Sequence, residues 1–162
     1  MLARSHIATA ILAGLLFRPL GLPPADVFLF FLIILISALF TDLDHPDSTI
    51  GHAFPILAWL TNKMLGHRGF LHSLLVPAVL WFGARSIGHP LIGLSILVGM
   101  ISHLFCDGLT KNGVNLLHPF AECRIRGFIT TGGWIEAMYF WAVLVLIVFF
   151  MAQEFLPAPL WP

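Results

Sequence analysis

The chain has 162 residues, 59% of them hydrophobic and only 10% charged, against roughly 25% charged in an ordinary soluble domain. Too little polar surface is available to face water, so a bilayer is the expected solvent for much of the chain. Eight acidic and eight basic residues cancel, which excludes the basic field that nucleic acid requires, and two cysteines, Cys106 and Cys123, are too few for a disulfide framework.

The length suits a single domain over residues 1–162. The predicted fold class is all-α, a polytopic membrane bundle of about five apolar helices with two long loops on one side. Helices are expected because each satisfies its own backbone in lipid. The first apolar segment, Ile7–Leu20, follows Arg4 as a signal peptide would. His6 and Arg18 bracket it and no small-x-small site follows, so it reads as retained. The tight turn Gly21-Leu22-Pro23-Pro24 leads to the second segment, Val27–Phe40, with Asp26 as its expected N-cap. A long connection, Thr41–Gly69, carries Asp42, Asp44, His45 and Asp47; long loops in small proteins are usually functional or disordered, and this one is not low-complexity, so it reads as functional. Within it, Phe54–Leu60 suits the membrane interface, with Trp59 as anchor.

The third segment, Phe70–Ala84, is introduced by His67 and His72, and a turn at Ser86–Pro90 precedes the fourth, Leu91–Phe105. His103 and Asp107 close that fourth segment. The second long connection, Cys106–Gly133, ends at the last segment, Trp134–Phe155, where Glu136 is expected as a partner of the helix N-terminus. Only this last segment reaches the ~20 residues of a comfortable span. Ala8, Ala10, Ala13, Gly14, Gly93 and Gly99 suit close helix contacts.

With five spans and the N-terminus in the cytoplasm, Arg4, Lys63, Arg68, Lys111, Arg124 and Arg126 fall inside, and only Arg18 and Arg85 outside. The same topology brings His6, the Asp42–Asp47 group, His67, His72, His103 and Asp107 to one depth at the inner face. His103 and Asp107, spaced i, i+4, share a helical face. Mixed His and carboxylate ligation suits Zn²⁺, or a harder ion such as Mn²⁺. His52, His89 and His118 read as interfacial hydrogen-bonders, Asp47 as a turn residue and Cys106 as a packed thiol. Arg68 suits either a substrate phosphate or lipid headgroups.

Three ordered stretches carry a resemblance. They are Asp42-Leu43-Asp44-His45-Pro46-Asp47-Ser48, then His67-Arg68-Gly69-Phe70-Leu71-His72-Ser73. The third is His103-x3-Asp107-x2-Thr110-x2-Gly113-Val114, running on through Leu116-Leu117-His118-Pro119-Phe120. Together with His6 they resemble the YdjM-type inner-membrane proteins, described as membrane-bound metal-dependent hydrolases. That family is thought to be distantly similar to zinc-dependent phospholipase C and S1/P1-type nucleases, which implies a phosphoester substrate. The chain departs from the family pattern at Thr41, commonly Pro, and at His118, commonly an aromatic such as Trp.

The resulting expectation is an inner-membrane hydrolase holding one or two divalent ions, with His6, Asp42, Asp44, His67, His72, His103 and Asp107 as ligands and one Asp as a bridge. Arg68 would bind the substrate's anionic group and His45 act as general acid or base. A phospholipid or other phosphoester is the expected substrate, because the site lies at headgroup depth. Two rivals from other classes are a metal or proton transporter and a structural protein stapled by its metal. The cluster lies at one face with no polar trail across, which disfavours transport. A structural metal site would be closed, a catalytic one open.

Overall fold

The computed structural model describes residues 1–65 and 69–155. Apolar runs without interior breaks close their own hydrogen bonds, and seven helices form among the described residues: α1 (Ala3–Phe17), α2 (Pro24–Phe40), α3 (Thr49–Ala53), α4 (Pro55–Leu65), α5 (Leu75–Ser86), α6 (Pro90–Gly108) and α7 (Trp134–Phe155). Strands β1 (Val114–Asn115) and β2 (Arg124–Ile125) pair antiparallel, Val114 opposite Ile125. The protein is thus all-α and of membrane type. Three segments are long and apolar enough to cross a bilayer: Pro24–Asp44, Pro90–Gly108 and Trp134–Gln153.

Every expected apolar segment contains a helix; the last, Trp134–Phe155, has the expected ends, and the other four are shifted at one end or both. α1 begins at Ala3, so His6 lies inside it rather than at its start, and it stops before Arg18-Pro19 because proline disfavours helix in the residue before it. α2 starts on Pro24, whose fixed φ suits the first helical position, so Pro23 rather than Asp26 occupies the N-cap. Asp26 sits in the first turn, at the positive end of the helix. The third segment opens with a 3-10 turn at Phe70–His72, and α5 begins only at Leu75. α1 and α5, with 15 and 12 residues, fall short of the usual spanning length.

α6 is the central helix, packed by α1, α2 and α5, while α7 packs on α1. Its core with α1 and α2 joins Ala10, Phe30, Ile34, Ala38 and Val98. Gly99 sets the closest approach: a Cβ there would collide with the Ser37 hydroxyl and the Ile34 carbonyl of α2. On α7, Val143 and Ile147 bury against Ala8, whereas Trp134, Met138, Trp141, Val145 and Val148 stay exposed as a stripe. An apolar stripe of this length facing outward is what lipid, not water, accommodates.

Candidate metal centre

Three chain segments end at one place. The last turns of α6 carry His103 and Asp107 on one face, and Thr110 secures that end by donating its hydroxyl to the Asp107 carbonyl at 2.8 Å. α2 tightens into a 3-10 turn, Thr41–Asp44. With three residues per turn, positions two apart point about 120° from each other, so Asp42 and Asp44 diverge. His72 completes the second 3-10 turn, held by the Ser73 hydroxyl donating to Phe70 O at 2.8 Å.

The loop after Asp42 is fixed from several sides. Thr41 donates its hydroxyl to Ser37 O at 3.1 Å, securing the end of α2. Ser48 donates to Asp42 O at 2.8 Å and accepts from Gly51 N as the N-cap of α3. From α4, Thr61 donates to Leu43 O at 2.9 Å and Asn62 to Asp44 O at 2.7 Å.

The outcome is a group of four donors, from Asp42, His72, His103 and Asp107, all within 4.8 Å of one another. His72 Nε2 lies 3.7 Å from Asp42 Oδ1 and 3.6 Å from Asp107 Oδ2, while His103 Nε2 lies 3.5 Å and 3.8 Å from the same two oxygens. Tetrahedral donors at zinc-like bond lengths sit roughly 3.3 Å apart, so the four nitrogen–oxygen pairs need only slight contraction around a first-row divalent ion, and the widest pair of the group, within 4.8 Å, needs more. Both imidazole Nε2 atoms are buried and lack a hydrogen-bond partner. The carboxylate oxygens facing them at 3.5–3.8 Å are too far or too poorly aligned for full hydrogen bonds, and a cation among two carboxylates and two imidazoles would satisfy all four groups together.

Asp44 lies behind this group. It is fully buried, and its Oδ2 sits 3.2 Å from His72 Nδ1, the nitrogen facing away from the cluster. A carboxylate on the remote nitrogen of a ligating imidazole orients the ring and raises its basicity. Without an ion, burial pushes the His72 imidazole down, but Asp42 and Asp44 on its nitrogens and the charge of Asp107 outweigh this and raise it from 6.5 to about 9.

Asp107 divides its two oxygens. Oδ2 faces His72 and His103, while Oδ1 faces His6 Nε2 at 3.5 Å and the Met1 amino group at 3.2 Å. The His6 ring stacks on His103 with centroids 3.9 Å apart and planes 13° from parallel. The N-terminal turn that carries His6 is held by Glu136, whose Oε1 accepts from Leu2 N at 2.6 Å and Ser5 Oγ at 2.8 Å, and whose Oε2 accepts from Gly132 N at 2.6 Å. Glu136 lies in the first turn of α7, as expected of a partner for the helix N-terminus, but it is buried and acts as a clamp because the donors of two segments converge on it.

A cavity of about 320 Å³ opens beside the cluster, lined in part by His6, Asp42, His45, Asn112, Asp107 and Thr131. His45 is half-buried on its wall, with Nδ1 accepting from Asp47 N at 3.3 Å. His67 and Arg68, expected as a ligand and an anion binder, lie outside the described residues. Cys106 is buried, 3.7 Å from the Tyr139 hydroxyl. Sequence reasoning missed the contacts of Met1, Glu136, Thr61 and Asn62, all of which join residues far apart in the chain; only the Ser48 cap had a local signal, Ser followed by a short helix.

Comparison with known proteins gives a consistent frame. The family model for the YdjM inner membrane protein matches residues 1–158. The uncharacterized protein YvsG of Bacillus subtilis (strain 168) is 36% identical over 105 residues, 64% of this chain and 66% of its own length. The inner membrane protein YdjM of Escherichia coli (strain K12) is 32% identical over 103 residues, 57% of this chain. The match spans about half, 48%, of that protein's length. No solved structure matches the chain.

Proposed function

The chain belongs to the YdjM inner membrane protein family, and on that premise we propose that it is a membrane-bound metal-dependent hydrolase acting on a phosphoester at one membrane face. The observation that carries the proposal is the four-donor group, with two orphaned imidazole nitrogens, beside an open cavity. Asp42, His72, His103 and Asp107 would hold a divalent ion, Zn²⁺ by the mixed nitrogen and oxygen set and Mn²⁺ as the harder alternative. Such an ion supplies a water of lowered pKa and a Lewis acid for a phosphoryl oxygen.

The chain's own groups provide the rest. Asp44 fixes the His72 ring. Asp107 presents its second oxygen toward His6, the arrangement a bridging carboxylate between two ions requires. His45 accepts at Nδ1, so its neutral ring carries the proton on Nε2, which suits proton transfer at the cavity wall. Arg68, next to His67 in the sequence, would bind the substrate's anion. The phosphoester class draws on the resemblance to zinc phospholipases and nucleases. The position of Asp44 and Gly108 at the ends of apolar spans favours a lipid substrate within this reading. With α1 and α5 counted as crossings alongside the three longer spans, the bias of basic residues favours a cytoplasmic N-terminus and a C-terminus outside.

Metal analysis of the purified protein, with a phosphodiester panel that includes phospholipid vesicles, tests this. Asp107→Ala loses both bound metal and hydrolysis; full activity in that variant refutes the proposal. Stoichiometric metal without hydrolysis of any phosphoester favours the structural-staple alternative.

A further inference from the structure

α4 is built inside out for a helix in water. Its inward positions are Ala58, Thr61 and Asn62, spaced i, i+3, i+4, and two of the three are polar. Its outward positions are Ile56, Trp59, Leu60 and Lys63, again one helical stripe. Ile56 is 83% exposed, Trp59 58% and Leu60 42%. Phe54, just before the helix, is exposed as well. A water-facing helix places these faces the other way round.

Position and length identify what covers that stripe. Eleven residues span about 16 Å, roughly half the hydrocarbon thickness of a bilayer. α4 packs on α3 and on the 3-10 turn at Thr41–Asp44, where the apolar span Pro24–Asp44 ends. Its outward face therefore continues the apolar surface of the spans at the depth where hydrocarbon gives way to headgroups. Lys63 lies over the Trp59 ring, 4.9 Å from its centroid, a pairing of ammonium and indole suited to that boundary.

We propose that α4 is a lipid-docking surface that lies in the headgroup–acyl boundary and carries that seating to the metal-ligand turn. The link is short. Asn62 holds Asp44 O, and the single Thr61 hydroxyl proton is shared between Leu43 O and the carbonyls of Leu57 and Ala58 in its own helix, so the backbone at Asp44 is fastened to the lipid-seated helix chiefly through Asn62. Asp44 in turn orients His72. The docking stands on α4 alone; its consequence for ion affinity rests on the metal-centre reading above.

The full chain, with Cys106 and Cys123 replaced by serine, is reconstituted into phosphatidylethanolamine–phosphatidylglycerol vesicles. Ile56→Cys, Leu60→Cys and, as a water-facing control, Glu122→Cys variants carry an environment-sensitive fluorophore. Labels at 56 and 60 are expected to be quenched by lipids bearing a quencher near the headgroup and protected from aqueous iodide, with the reverse at 122. Iodide quenching at 56 and 60 equal to that at 122 overturns docking. So does protection that disappears on dilution of protein into excess lipid, which would assign the face to a second copy. Strongest quenching from the bilayer centre overturns the in-plane placement.

For the link, Asn62→Leu is expected to weaken Zn²⁺ binding in vesicles by about tenfold, the scale of a lost outer contact, with the label pattern unchanged. Unchanged affinity in that variant overturns the coupling. A parent chain that binds no Zn²⁺ overturns the metal reading and the coupling with it, while the labels still decide docking.

Discussion

Replacing Asp44 by asparagine probes the centre without touching the four donors. The substitution keeps the volume of a fully buried side chain and removes the charge 3.2 Å from His72 Nδ1. Loss of such an outer partner weakens metal binding by about 10–100-fold, or about 1.4–2.7 kcal/mol. An opposing effect acts at neutral pH. In the parent, His72 holds a proton up to about pH 9, and an ion must displace it. At pH 7 that displacement opposes metal binding, because the raised imidazole must first give up its proton. Asparagine lessens this opposition by removing one of the groups that raise the imidazole. The two effects therefore partly cancel near pH 7, and the full loss emerges only above about pH 9, where the parent ring is already neutral. Competition titration with a chromophoric chelator, at about pH 7 and about pH 9.5, measures both terms. Equal affinity of parent and variant at the higher pH would refute the role given to Asp44.

Glu136→Leu leaves three donors from two segments without an acceptor and is expected to lower stability by at least about 2 kcal/mol, with Glu136→Gln milder; thermal unfolding in detergent reads this. Gly99→Ala forces α2 and α6 apart and costs about 1–3 kcal/mol, whereas Gly83→Ala, with open space around it in α5, is neutral or stabilising by up to about 1 kcal/mol. The raised His72 stabilises the metal-free fold by an amount fully present below pH 6.5 and lost as pH rises through about 9. Chelator-treated protein therefore melts at a lower temperature at high pH, and His72→Gln removes that slope; a parent without the slope contradicts the His72 environment.

Periodicity and composition made the helical membrane class legible, because lipid admits few alternatives for an apolar backbone. The i, i+4 pair His103 and Asp107 was legible for the same reason: one helix fixes both positions. What lay beyond reach was direction within short irregular turns. Asp42 and Asp44 were expected to converge on one centre, yet a 3-10 turn sends them to opposite nitrogens of His72. Their spacing of two is the same in either arrangement, so only the turn's pitch decides. Glu136 was read from its local place at a helix start, but its environment is set by Leu2 and Ser5 more than a hundred residues away.

On the proposed metal reading, the tight contact at Gly99 would bear on which ion the four donors accept. Gly99 lies one turn before His103, and Ser37 lies five residues before Asp42, so the contact works as a gauge block between the helices bearing those two ligands. A change of a few tenths of an ångström in helix spacing there alters the gap that an ion must fill, and divalent ions differ in radius on that scale. Under the metal reading proposed above, discrimination among ions would be set partly by the one hydrogen on Gly99 that stands in place of a Cβ, where one methyl group would widen the gauge.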